Sequence, residues 1–170
     1  MLAPMPRTRS IPDTHVFAVI HRLLDEGGDK AVSFATVATA TGLAPPTLVQ
    51  RYGSRDGMLR AARLAAWDSL EAATAAAISG TEAKGPLGLL KALATVDAAR
   101  LVGDARDPDL VQRAAAWRAT VEAALAARLG PGQKARDGAA MLFAAWQGQL
   151  LWARAGAPGF KLKDAVKRLT

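Results

Sequence analysis

The chain contains no cysteine among its 170 residues. Disulfide frameworks, thiolate zinc sites and cysteine nucleophiles are therefore excluded. Two histidines are present, His15 and His21. Their spacing is not the i, i+4 spacing of a helical metal pair. The sequence also offers no paired carboxylates and no nucleophile–base pair, so it predicts no metal site, no cofactor and no enzymatic activity.

Long apolar runs are missing as well, since none reaches the ~18 residues that a membrane-spanning helix needs. The segment from Met1 to Thr14 has no apolar core and so does not look like a signal peptide. We therefore expect a soluble, cytoplasmic protein with no membrane partner.

β-Branched residues are scarce, because valine and isoleucine together number 13 whereas alanine alone numbers 39. Alanine is the strongest helix former, and β-branched residues favour strands. The predicted fold class is all-α. Apolar periodicity, glycines and prolines predict helices near residues 13–26, 33–41, 44–52, 54–79, 86–102, 108–129, 133–155 and 160–169.

Basic residues outnumber acidic residues by 22 to 15, which gives a net charge of +7. Such a surplus suits an anionic partner such as nucleic acid. The surplus is spread over both halves of the chain, so charge alone does not establish DNA binding.

The segment 33–52 reads SFATVATATGLAPPTLVQRY. It predicts two short helices that meet at a turn at Gly42, the form of a helix-turn-helix. Val37 and Ala38 of the first helix can pack on Leu43 and on Leu48 of the second. Glycine suits the turn because it adopts left-handed backbone angles without steric cost.

The second of these helices is expected to present Thr47, Gln50 and Arg51 outward. Arginine and glutamine make bidentate contacts to guanine and adenine edges, respectively. The alternatives are that Gln50 and Arg51 are ordinary surface residues and that Thr47 donates to a backbone carbonyl.

A longer window contains further motifs at consistent spacing. They are an apolar helix followed by Gly28, then Val32-Ser33, Val37-Ala38, Gly42-Leu43, Thr47-Leu48-Val49 with Tyr52, and Gly53-Ser54-Arg55. With these motifs, residues 14–63 resemble the DNA-binding domain of the TetR/AcrR family of bacterial transcriptional regulators. The remainder of the chain resembles that family only in outline, as a larger helical domain.

The resemblance implies a set of candidate DNA-contacting residues: Ser33, Thr36, Thr47, Gln50, Arg51, Tyr52 and Arg55. Arg55 falls in the first turn of a predicted helix, where a cation opposes the helix dipole, so a phosphate is a natural partner. Tyr52 has an alternative role as a core residue with a solvated hydroxyl group.

The chain divides into three predicted regions. Residues 1–12 form a flexible arm with two arginines. This arm is either a solvated tail or a contact with the minor groove. Residues 13–53 form the helix-turn-helix domain. Residues 54–170 form a helical domain for effector binding and dimerisation.

Four aromatic residues on three predicted long helices are the candidate effector pocket: Trp67, Trp117, Phe143 and Trp146. If they converge around a space, they form a mostly apolar cavity for an aromatic or lipophilic compound. The alternative is that the rings pack against one another as core.

The predicted helix 133–155 is apolar on two faces. One face carries Phe143, Trp146 and Leu150, and the other carries the candidate dimer-interface residues Met141, Ala144, Gly148, Leu151 and Ala155. Small residues let two such helices approach closely. The alternative is the central helix of a monomer.

Together these features predict a homodimeric repressor that binds double-stranded operator DNA and is released by a small-molecule effector. The alternative is a ligand-binding or interaction protein that has kept the fold and lost operator recognition. Ala35, Val49 and the pair Pro45-Pro46 depart from the family pattern and leave this alternative open.

Overall fold

The computed structural model describes residues 11–94, 107–153, 155–156 and 159–169. Every regular element within these residues is helical, which confirms the all-α prediction. The α-helices are α1 (Asp13–Gly27), α2 (Phe34–Thr41), α3 (Pro45–Tyr52), α4 (Arg55–Gly80), α5 (Gly85–Ala92), α6 (Pro108–Leu129), α7 (Gln133–Trp152) and α8 (Leu162–Leu169). Short 3₁₀ turns at Asp29–Ala31 and Glu82–Lys84 precede α2 and α5.

Local signals predicted several helix starts correctly. The Asp107 side chain caps α6 by accepting from the Asp109 N–H at 3.0 Å. The Ser54 hydroxyl accepts from the Gly57 N–H at 2.9 Å at the start of α4. In each case a short polar side chain satisfies a backbone donor that has no partner within the helix.

Two predicted helix boundaries were wrong, the end of one helix and the start of another. The helix expected to reach residue 155 ends at Trp152, because the Ala155 N–H turns back to the Trp152 carbonyl at 2.8 Å. The last helix begins at Leu162 rather than at Phe160. The second half of the predicted helix 86–102, and residues 1–10 of the predicted arm, lie outside the described residues.

The chain divides into two compact units, Met1–Ala65 (unit 1) and Ala66–Thr170 (unit 2). The division falls within α4, which is one continuous helix. Unit 1 has its own core, in which residues of α1, α2, α3 and α4 pack together with Val32, which follows the first 3₁₀ turn. Its members are Val16, Ile20, Val32, Val37, Ala38, Leu48, Met58, Leu59 and Ala62.

Unit 2 buries a larger apolar set. Its members are Trp67, Leu70, Leu89, Leu90, Leu93, Leu110, Trp117, Val121, Leu125, Ala135, Ala139, Leu142, Phe143 and Trp146. Polar contacts join α6 to α4: the Arg113 guanidinium pairs with Asp68 at 2.6 Å and Glu71 at 2.7 Å. Farther along, Arg128 donates to the Ile78 carbonyl at 2.8 Å. These bonds fix the register of two alanine-rich helices whose small side chains specify it poorly.

Among the described residues, no helix combines the length and the apolar character needed to span a bilayer.

Candidate nucleic-acid interface

Helix α2 begins with a reciprocal capping box. The Ser33 hydroxyl accepts from the Thr36 N–H at 3.1 Å, and the Thr36 hydroxyl accepts from the Ser33 N–H at 2.9 Å. Thr36 also donates to the Ala31 carbonyl at 2.8 Å, which ties α2 to the preceding 3₁₀ turn. Both residues were predicted DNA contacts, and within the chain both serve as the cap of α2.

The turn between α2 and α3 is held by Gly42 and Thr41. Gly42 is left-handed, with φ +75°, and its N–H donates to the Ala38 carbonyl at 2.8 Å. The buried Thr41 hydroxyl donates to the Val37 carbonyl at 2.7 Å and accepts from the Leu43 N–H at 3.3 Å. Sequence reasoning found the glycine but missed Thr41, whose only signal is a threonine directly before the turn.

Helix α3 begins with Pro45 and Pro46, at positions where the missing N–H groups cost no helical hydrogen bond. Leu48 is fully buried and anchors the helix to the core of unit 1. Val49 and Gln50 are exposed, and Thr47 is half-buried. The structure therefore leaves part of the predicted reading surface, Thr47 and Gln50, accessible on α3.

Arg51 and Tyr52 lie against the start of α1. Arg51 donates through Nη1 to the Ile11 carbonyl at 2.8 Å and to Asp13 at 3.2 Å. The Tyr52 hydroxyl donates to the same Asp13 carboxylate at 2.6 Å, and its ring lies 6.0 Å from that of Phe17. We call Asp13, Arg51 and Tyr52 the α1–α3 latch. Arg51 and Tyr52, which were both predicted to contact DNA, therefore form hydrogen bonds within the chain.

Burial of the phenol, together with its hydrogen bond to Asp13, raises the pKa of Tyr52 from 10.0 to about 12. The neutral phenol is the form that donates to the carboxylate. The latch therefore depends on the protonated form of Tyr52.

Arg55, in the first turn of α4, joins three parts of unit 1. Its Nε donates to the Val32 carbonyl at 2.7 Å, Nη2 donates to the Asp29 carbonyl, and Nη1 donates to Asp56 at 3.3 Å. The side chain is still 40% exposed. A phosphate bound by Arg55 must share a guanidinium that already holds the start of α2 against α4.

Ion pairs occupy much of the basic charge of unit 1. Arg22 pairs with Glu26 at 3.7 Å, and Arg63 pairs with Asp29 at 3.6 Å. Lys30 is exposed on the 3₁₀ turn that leads into α2. Sequence reasoning passed over Lys30 because it lies outside the helix-turn-helix motif, although it is three residues before Ser33.

The four predicted effector residues converge in unit 2 and form one chain of edge-to-face contacts, here called the aromatic cluster. The ring centroids of Trp67 and Trp117 are 6.3 Å apart, those of Trp117 and Phe143 5.8 Å, and those of Phe143 and Trp146 5.9 Å. All four residues are at least nine-tenths buried. Rings in mutual contact are the core arrangement given above as the alternative.

Two of the three indoles in the aromatic cluster differ in their hydrogen bonding. The Trp117 Nε1–H donates to the buried Thr74 hydroxyl at 2.8 Å. The Trp67 Nε1–H is buried and has no hydrogen-bond partner among the described residues. That these residues line an effector pocket stays a prediction.

The predicted dimer face of α7 is accessible in the single chain. Met141 is 64% exposed and Leu151 69% exposed, and a Cβ added at Gly148 would meet nothing within 4 Å. Ala144 is exposed on the same helix. Ala155 is also exposed, but it lies in the turn after α7 rather than on the helix, which corrects its predicted setting.

Within the described residues, no three His, Asp or Glu side chains are grouped so as to hold a metal ion. The amino-acid sequence matches no protein-family model and no curated protein, so a functional assignment depends on the geometry of α2 and α3.

Proposed function

We propose that the protein is a homodimeric, ligand-responsive DNA-binding regulator that acts as a repressor. The observation that carries the proposal is the pair α2 and α3, joined through a left-handed Gly42 and anchored by Leu48. This pair leaves Thr47 and Gln50 accessible on a short second helix that buries Leu48. Such an arrangement supports a helix-turn-helix, in which the second helix enters the major groove.

In this proposal, Gln50 reads a base edge and Thr47 contacts the backbone. The start of α2 faces a phosphate through Ser33, Thr36 and exposed Lys30. Arg51 and Tyr52 act as positioning residues, since the α1–α3 latch fixes the angle at which α3 leaves the core. Arg55 has both roles, holding the start of α2 and offering its exposed edge to a phosphate.

Dimerisation is proposed through the exposed face of α7. Apolar side chains as exposed as Met141 and Leu151 favour contact with another protein surface. A second copy of the same face fits best, because a two-fold axis brings identical surfaces together and sets two recognition helices about 34–36 Å apart. Gly148 and Ala144 permit close approach of the two helices.

The continuous helix α4 is the proposed path between effector and DNA. A ligand that prefers one arrangement of unit 2 changes the position of α4 and with it the spacing of the recognition helices. A coupling of about 1–3 kcal/mol between the two sites is sufficient for regulation.

The test is selection of duplexes from a random pool, followed by salt titration on the selected operator. Gln50→Ala is expected to cost about 1–3 kcal/mol on that operator and to relax base choice at one position. Lys30→Gln is expected to weaken all sequences alike and to lower the salt slope by roughly one. Gln112→Ala, at an exposed position of α6, is the control and should bind like wild type.

A second candidate function has its own support. Val49 is 45% exposed on α3, beside exposed Pro45 and Pro46, and such an apolar surface suits a protein partner. A chain that retains no duplex from the pool favours this interaction protein over the repressor. A Gln50→Ala variant that retains the same sequences as wild type would instead reject Gln50 as the base-reading residue.

A further inference from the structure

Unit 2 contains an open cleft of about 800 Å³ between α5, α7 and α8. Small-molecule sites have volumes of about 300–1,000 Å³. All three helices contribute apolar side chains to the lining: Leu87, Leu90, Trp146, Leu150 and Leu162. We call this site the leucine cleft. On α7 it uses the face of Trp146 and Leu150, not the face of Met141 and Leu151 proposed for dimerisation.

Two cations line the same cleft. Lys91 of α5 and Lys163 of α8 are both exposed, and neither ammonium group has an ion pair or hydrogen bond within the described part of the chain. None of the described lining residues is acidic. The leucine cleft is therefore apolar over most of its surface and positively charged where the lysines lie.

Helix stability accounts for one lysine and not for the other. Lys91 lies in the last turn of α5, where a cation is favourable to the helix dipole. Lys163 lies in the first turn of α8, where a cation opposes the dipole. An anionic ligand in the cleft accounts for a cation at position 163, which the helix dipole does not.

We propose that the leucine cleft binds an amphiphilic organic acid, a carboxylate on an aliphatic chain. The chain packs among the leucines, and the carboxylate pairs with Lys163 and Lys91. The sequence predicted an aromatic or lipophilic effector and did not indicate this charge, because the two lysines are far apart along the chain and line one cleft only when α5 and α8 pack together. The identification of this acid as the effector rests on the proposed repressor function. The binding of the acid to the leucine cleft does not depend on that function.

The test is calorimetric titration of the full chain, without DNA, with decanoate, decanol and decylammonium. The two ions are kept below their micellar concentrations and decanol below its solubility limit. Exposed ion pairs contribute about two- to five-fold each, so decanoate should bind about ten-fold more tightly than decanol. Decylammonium should bind more weakly than either. Equal affinity for decanoate and decanol, or no binding of decanoate, overturns the proposal.

A matched pair of variants tests the position of the charge. Lys163→Gln should weaken decanoate binding by about two- to five-fold and leave decanol binding unchanged. Lys167→Gln removes the same charge one turn later on α8, from a residue outside the cleft lining, and should leave both unchanged. Equal loss in both variants assigns the effect to net charge and overturns the site.

The same titrations separate the two proposals. If the chain binds decanoate but retains no duplex, the repressor function is rejected and the leucine cleft proposal stands. If the chain binds operator but not decanoate, the leucine cleft proposal is rejected and the repressor function stands.

Discussion

Gly57 occupies a restricted position in the first turn of α4. A Cβ at this residue would overlap the Tyr52 carbonyl oxygen, a backbone atom that cannot rotate away, and would lie 3.2 Å from the Ser54 hydroxyl. The corner between α3 and α4 therefore depends on the absence of a side chain. Sequence reasoning did not find this residue, because a glycine inside a helix carries no local signal of what approaches it.

We expect Gly57→Ala to destabilise unit 1. Alanine improves helix propensity by about 1 kcal/mol, but overpacking costs about 1–3 kcal/mol, and contact with the backbone places the cost at the upper end of that range. The net loss should be about 1–2 kcal/mol in chemical denaturation. Gly80→Ala, in open space at the end of the same helix, is the control and should be neutral or slightly stabilising. A Gly57→Ala variant as stable as its control would show that the corner has room to adjust.

Helices α2 and α3 illustrate what the sequence could predict at the level of elements. Ser33, Gly42 and the pair Pro45-Pro46 act on backbone groups within a few residues, so their spacing alone indicated both helices. The orientation of Arg51 could not be predicted in this way. Its partner Asp13 is 38 positions away in sequence, and the two meet only when α1 and α3 pack together.

The α1–α3 latch predicts a pH dependence. The pKa of Tyr52 is raised in the folded chain from 10.0 to about 12, so the latch stabilises the fold fully below pH 10. That stability is lost as the pH rises from 10 towards 12. Asp13→Asn removes the charged acceptor, so the Tyr52 pKa should fall from about 12, because the hydrogen bond and the charge of Asp13 both raise it. Absorbance titration of the single tyrosine measures this directly.

Glu26→Gln is the matched control for the latch, since it removes one carboxylate from the same helix α1, where Glu26 pairs with Arg22. It should leave the Tyr52 titration unchanged. An Asp13→Asn variant whose tyrosine titrates as in wild type would contradict the hydrogen bond between Asp13 and Tyr52.

For the whole molecule, the sequence predicted an all-α chain, which the structure confirms, but it contains no local signal of where the compact units divide. The predicted boundary followed residue 53, at a glycine–serine break, whereas the compact units divide within α4. A helix that continues from one unit into the next has no break in composition, because its alanines suit both. The boundary follows from long-range contacts rather than from a local signal.

The proposed dimer through α7 gives a testable prediction for the whole molecule. At Gly148 an added Cβ would meet no described atom within 4 Å, so the fold of the Gly148→Leu variant should keep its stability, with better helix propensity by under about 1 kcal/mol. In a dimer joined through α7, the two added leucines should cost about 1–3 kcal/mol by overpacking. Sedimentation should then show dimeric wild type and a shift towards monomer in the variant.

Ala73→Leu, at an exposed position of α4, is the control and should sediment like wild type. A wild type that is monomeric at micromolar concentration would contradict the proposed dimer and, with it, symmetric reading of a palindrome.

The aromatic residues give each unit its own optical signal. All four tryptophans belong to unit 2, and the single tyrosine belongs to unit 1. Trp152 is 68% exposed, whereas Trp67, Trp117 and Trp146 are buried, so iodide should quench one emitter of four in the native chain. Loss of packing also removes the near-ultraviolet circular dichroism of the buried rings. Melting of unit 2 is therefore seen as a rise in quenchable indole emission, while melting of unit 1 alone changes only the tyrosine absorbance.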